Sequence, residues 1–214
     1  MNASMAQVFL PTGDSFILRG ESFEWKKTKE EKSPHLSYSQ AKTLVDDVLK
    51  CYYDIKKQYP RRLVIYKTSN YKSEEKSGFL NNEANIEFVN MVNIKRFTDI
   101  RFFRRSKQPP LRGTILYSND NKKCILYTLG YIPSLETYPG MDTPIPIEIR
   151  IEDSESDLEQ ISNEIMTLTR LDWNNIKFCQ SLPVTIAFSR KIGNILSERR
   201  STQIKIEPHY RYYM

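Results

Sequence analysis

Two short apolar runs, residues 4–10 and 15–19, flank the turn sequence Pro11-Thr12-Gly13-Asp14. This predicts an opening β-hairpin in which Gly13 supplies the unusual turn dihedral. Residues 26–32 are strongly charged and are read as a loop. Beyond them Ala41, Leu44, Val45, Val48, Leu49 and Tyr52 recur at helical spacing. Ser37 or Ser39 can cap that helix, and it should end before Pro60.

Residues 62–66 form a short run rich in β-formers, the pattern of a strand covered on both faces, so it is expected at the centre of a sheet. Segments 87–94, 100–104, 113–117 and 124–129 read as further strands broken by Asn-Asp and Pro-Pro turns. Pro133, Pro139, Pro144 and Pro146 mark an irregular crossing. From Asp157 onward Leu158, Ile161, Ile165 and Leu168 predict a second amphipathic helix entered through Ser154 or Ser156. Pro183 opens a third, with Val184, Phe188, Ile192, Ile195 and Leu196 on one face. A strand at 203–206 and an aromatic tail at 209–214 complete the chain. The sum is an α/β layered domain with a mixed sheet flanked by helices.

Composition narrows the classes that remain. At 214 residues, with 39% hydrophobic and 27% charged positions, the chain is long enough for a real core and too apolar for a disordered polymer. No apolar run approaches the ~18 residues of a spanning helix, and residues 1–8 lack the features of a signal peptide. A cytoplasmic protein without a membrane partner is expected. Cys51, Cys124 and Cys179 are widely spaced and there are only two histidines, which argues against both a disulfide framework and a zinc cluster. The net charge of +6 is mildly favourable to polyanion binding. Its sharpest concentration is local. Lys95, Arg96, Arg101, Arg104, Arg105, Lys107 and Arg112 stand against the single acid Asp99, a density suited to phosphate contacts.

Four stretches, taken in order, carry a resemblance. They are 60–69 (PRRLVIYKTS), 130–140 (GYIPSLETYPG) leading into 143–146 (TPIP), 168–175 (LTRLDWNN) and 182–193 (LPVTIAFSRKIG). Together with the hairpin at 4–20 the set resembles the C-terminal part of the PIWI domain of prokaryotic Argonautes, of a short or catalytically inactive type. That resemblance implies an RNase H-like mixed sheet. It also implies that the family's first core strand, with its catalytic Asp, and the MID domain lie outside residues 1–214, to be supplied by an upstream segment or split subunit.

An active site of this kind needs carboxylates converging on two divalent metals. Where active relatives carry an Asp after the buried strand, this chain has Lys67-Thr68, and near the last catalytic position it has Phe188 and Ser189. The stretch matching the glutamate finger reads Ser33-Pro-His-Leu36, with Glu30 and Glu31 nearby. The paired acids Asp46-Asp47 and Glu74-Glu75 are read as solvated faces. The resemblance therefore implies a nuclease-dead protein, not an enzyme, that binds guide and target nucleic acid, in defence against invading DNA, with a possible effector partner. The alternatives are a metal-dependent Argonaute endonuclease or a scaffold for a partner effector. Lys67, Arg112, Arg170, Asn174, Arg190 and Lys191 are the implied nucleic-acid contacts. The carboxylate of Met214 is the implied ligand of a Mg²⁺ that bridges to the guide 5′ phosphate, since carboxylate and phosphate repel without a cation between them.

Overall fold

The computed structural model describes residues 2–10, 15–23, 33–96, 98–138, 143–153, 157–171 and 179–198. The chain divides into two compact units, one of residues 1–63, 70–89 and 188–214 and the other of residues 64–69 and 90–187.

In the first unit β1 (Asn2–Phe9) and β2 (Ser15–Phe23) pair antiparallel, with Phe9 opposite Ser15 and Ala6 opposite Leu18. The hairpin is longer than its apolar runs suggested, and its turn lies outside the described residues. Helix α1 (Tyr38–Lys56) starts at a reciprocal cap. The Ser37 hydroxyl accepts from Gln40 N at 3.3 Å and the Gln40 side chain accepts from Ser37 N at 3.0 Å, an arrangement contributing about 1 kcal/mol. Ala41, Leu44, Val45, Val48 and Leu49 are its buried stripe, as the spacing predicts, and Lys57 closes it in a left-handed conformation at φ 57°.

A second helix, α2 (Ser73–Leu80), was not anticipated. It crosses the start of α1 at Gly78, where a Cβ would stand 2.5 Å from the Tyr38 carbonyl oxygen and 2.7 Å from the Ala41 Cβ. Glu75 is the clear correction to the sequence reading. Its carboxylate is buried instead of solvated, accepts from Leu36 N at 3.4 Å and lies 3.8 Å from His35 Nδ1. Burial of a carboxylate demands such partners. Asp46 is likewise engaged, by Lys42 Nζ at 2.6 Å and by Glu83 N at 2.8 Å.

The five-stranded sheet comprises β3 (Arg62–Lys67), β4 (Phe88–Lys95), β5 (Ile115–Tyr117), β6 (Lys123–Leu126) and β7 (Ile147–Asp153), in the order β3-β4-β7-β6-β5. β4–β7, β7–β6 and β6–β5 are antiparallel. Among the described residues strand β3 lies at the edge of this sheet, not at its centre, and every one of its residues is only half-buried. The predicted strand at 100–104 is absent, and these residues form a loop. Helix α3 (Leu158–Leu168) covers one face of the sheet. Leu158, Ile161 and Ile165 meet Val92, Ile94, Cys124, Leu126, Ile147 and Ile149 in a closed core, where each buried aliphatic side chain contributes ~1.5–3 kcal/mol. Asp157 is the cap of α3, accepting from Gln160 N at 2.6 Å. Ser154 and Ser156 lie outside the described residues. Helix α4 (Val184–Glu198) follows Pro183 as predicted. The expected strand at 203–206 and the tail lie outside the described residues. The architecture is α/β, a mixed sheet flanked by helices.

Candidate nucleic-acid interface

Strand β4 delivers Lys95 to its end, and the chain then leaves the sheet through the basic segment. That segment is pinned at both ends. At its start the Arg101 guanidinium turns back onto the carbonyls of Thr98 and Ile100. Phe102 N donates to the Tyr127 hydroxyl at 2.8 Å, and the two rings lie 5.5 Å apart. These contacts explain why residues 100–104 fail to extend as a strand. At the far end Tyr131 N donates to the Pro110 carbonyl at 2.9 Å, and Arg112 N donates to the Tyr131 carbonyl at 3.1 Å. Gly130 packs so closely here that a Cβ would stand 2.5 Å from both Arg112 N and Pro110 O. Between the anchors Arg104, Arg105 and Lys107 are exposed.

A second cationic group stands on the sheet and was not foreseen. Cross-strand register sets Lys95 opposite Glu148 and Lys123 opposite Arg150. The largely buried Glu148 carboxylate lies 3.0 Å from Lys123 Nζ, 3.6 Å from Lys95 Nζ and 3.8 Å from Arg150 Nη2. One carboxylate thus holds three half-exposed cations, leaving a net positive cluster assembled in advance of any ligand. Only the period-two pattern of residues 147–152, paired with the correct strands, could have revealed it.

Of the sequence-predicted contacts, Lys67, Arg112 and Arg170 belong to the second unit and Arg190 and Lys191 to the first. Lys67 ends β3 and is half-buried. The Arg112 guanidinium donates to the Met166 carbonyl at 3.2 Å and to Thr169 Oγ1 at 2.7 Å, and its buried Nε has no hydrogen-bond partner among the described residues. Arg170 is exposed just past α3, where its N donates to the Thr167 carbonyl at 3.0 Å. Arg190 and Lys191 are exposed on α4, and the Lys191 ammonium lies 5.9 Å from the Phe188 ring centroid. Asn174 and Met214 lie outside the described residues, and with them the expected Mg²⁺ site.

At the position expected to carry a catalytic acid, Thr68 is exposed beyond β3. Buried Asn93 braces the backbone on either side of it, its Nδ2 donating to Lys67 O at 3.2 Å and to Ser69 O at 2.6 Å. Phe188 is buried, and the Ser189 hydroxyl donates to Gln7 Oε1 at 3.3 Å. Among the described residues no group of three or more His, Cys, Asp or Glu side chains converges as a metal site. A hydroxyl and an aromatic ring are poor donors for a hard dication. Burial pushes the Cys124 thiol up to about 11, far from a reactive thiolate, while Ser162 Oγ lies 3.4 Å away.

The fold has close counterparts among solved structures. Clostridium butyricum Argonaute bound to a guide DNA and a 19-mer target DNA superposes with a TM-score of 0.64 at 17% identity, over 91% of this chain and 26% of that one. The fold is that of an Argonaute PIWI domain. A. aeolicus Argonaute matches with a TM-score of 0.62 at 18% identity over 94% of this chain and 26% of that one. Aa-Ago with externally bound siRNA matches with a TM-score of 0.57 at 16% identity over 97% and 28%. The chain spans about a quarter of the length of these Argonautes. No protein-family model matches the sequence, and no curated protein matches it. Among the described residues no helix is long and apolar enough to cross a membrane.

Proposed function

We propose that this chain is the guide- and target-binding PIWI part of an Argonaute-type protein and that it does not itself cut nucleic acid. The observation that carries this reading is a contrast of charge. Cations stand in two prearranged groups, around Glu148 and on the pinned segment that follows Lys95. At Thr68, by contrast, there is no carboxylate to hold a catalytic metal. The Argonaute structures that share the fold, holding a guide DNA with its target or an siRNA, support nucleic acid as the ligand. Backbone contacts by the protein set geometry and affinity, and base pairing between guide and target supplies sequence.

The same reading implies Mg²⁺ as a cofactor of guide binding and a MID-bearing segment or subunit as a partner. It also places the protein in defence against invading DNA, signalling target recognition to a separate effector. The test is incubation of labelled target with a complementary guide, this chain and either Mg²⁺ or Mn²⁺. Retained, uncut target supports the reading. An ordered cut at one position opposite the guide overturns it in favour of an endonuclease.

A further inference from the structure

Phe103 is 88% exposed, more than any other large hydrophobic side chain among the described residues. A lone exposed apolar residue needs no explanation. The setting of this one does. Its neighbour Phe102 is held inward by the Tyr127 hydroxyl and ring, and Tyr127 is itself buried. The ring of Phe103 is left outside, at the head of a run in which every residue from 103 to 108 is exposed. Within that run are Arg104, Arg105 and Lys107 and no acid. The Ser106 N–H donates to the Arg104 carbonyl at 2.8 Å and the Gln108 N–H to Ser106 Oγ at 3.2 Å, so the tip is tightly turned. With the hydrogen bonds of Tyr131 to Pro110 and Arg112 closing the other end, little order remains to be imposed on binding.

An apolar ring framed by cations on a braced loop matches one ligand chemistry best, an unpaired nucleotide. Its base offers a face for the ring, and its phosphates face the guanidinium and ammonium groups. We propose that Phe103 is a stacking residue for a single-stranded stretch of nucleic acid, with Arg104, Arg105 and Lys107 contacting the adjoining phosphates. This rests on the nucleic-acid reading above and adds to it a preference for unpaired bases at one residue.

The experiment uses the 214-residue chain with three fluorescein-labelled probes followed by anisotropy. They are a thymidine oligonucleotide of about 12 residues, an abasic strand of the same length, and vesicles containing phosphatidylserine. Phe103→Ala should weaken binding of the thymidine strand about fivefold or more while leaving the abasic strand within about twofold, because stacking is worth ~1–3 kcal/mol per base. Phe103→Trp should restore the affinity, which separates lost stacking from lost folding. Replacing Arg104 and Arg105 together by Ala should weaken both strands and lower the salt slope by about 1.4. Equal effects of Phe103→Ala on the base-bearing and abasic strands overturn the stacking role while leaving the binding reading intact. Loss of vesicle binding with unchanged oligonucleotide affinity also overturns it, in favour of a membrane contact. Failure of the unmodified chain to bind either strand at low salt removes the binding reading and the stacking role together.

Discussion

Arg112 reaches Thr169 Oγ1 at 2.7 Å and the Met166 carbonyl at 3.2 Å, so its guanidinium closes the C-terminal end of α3 onto the turn that precedes β5. A cation there faces the negative end of the helix dipole. The same geometry draws a residue expected to contact phosphate into the scaffold. Arg112→Ala should cost ~1–3 kcal/mol in chemical denaturation, since it removes two charge-assisted hydrogen bonds at the end of α3. Duplex affinity should change by less than about twofold, which is small beside a lost phosphate contact.

Glu148 makes the opposite prediction, a gain of binding. Replacing Glu148 by Gln removes the carboxylate that, among the described residues, pairs with Lys95, Lys123 and Arg150. Duplex affinity should rise severalfold at low salt, and the gain should fade at high salt as screening shortens the reach of the exposed cations. Stability should fall by no more than about 1 kcal/mol, because the three partners are substantially exposed. Anisotropy and urea denaturation at two salt concentrations check both signs.

Gly78 tests the packing of α2 on α1. A methyl group there would meet the Tyr38 carbonyl at 2.5 Å, and backbone cannot easily yield. Gly78→Ala should therefore destabilise by ~1–3 kcal/mol despite its better helix propensity. Thermal unfolding would expose the opposite outcome, a stabilised variant.

Cys124 gives a pH dependence. Burial raises its thiol from 9.0 to about 11 in the folded chain. The folded state therefore holds a proton that the unfolded state releases first. This contribution is fully present below pH ~9 and is lost as pH rises through ~11, a decline of ~2–3 kcal/mol. The stability of Cys124→Ala should start lower and fall less steeply over the same range. Paired denaturation curves at pH ~8 and pH ~10.5 measure the difference.

Much of the fold was legible because its elements carry a period. Leu44, Val45, Val48 and Leu49 mark α1, and Leu158, Ile161 and Ile165 mark α3, at spacings no strand would use. The failures have physical causes. Residues 62–66 are apolar enough for a doubly covered strand, yet among the described residues β3 stands at the sheet's edge. Residues 73–80 carry no apolar stripe, and α2 forms because Gly78 and Glu75 fit against its neighbours. Strand β7 was hidden behind Pro144 and Pro146, although Ile147, Ile149 and Ile151 alternate with Glu148, Arg150 and Glu152. For the interface, the run from Lys95 to Arg112 was visible as charge alone. The Glu148 cluster was not, because it depends on which strands pair and in what register. Charge counting could not show either that Arg112 is engaged by α3 or that Phe102 turns in while Phe103 stays out.

The most direct measurement is the affinity of the 214-residue chain for a labelled guide–target duplex between ~50 and ~200 mM salt. If the cationic groups hold the backbone, log Kd should change linearly with log salt, with a slope reporting several neutralised phosphates. The slope should shrink by about 2 when Lys123 and Arg150 are both replaced by Ala. A salt-independent affinity, or a slope that this double replacement leaves unchanged, would contradict the account.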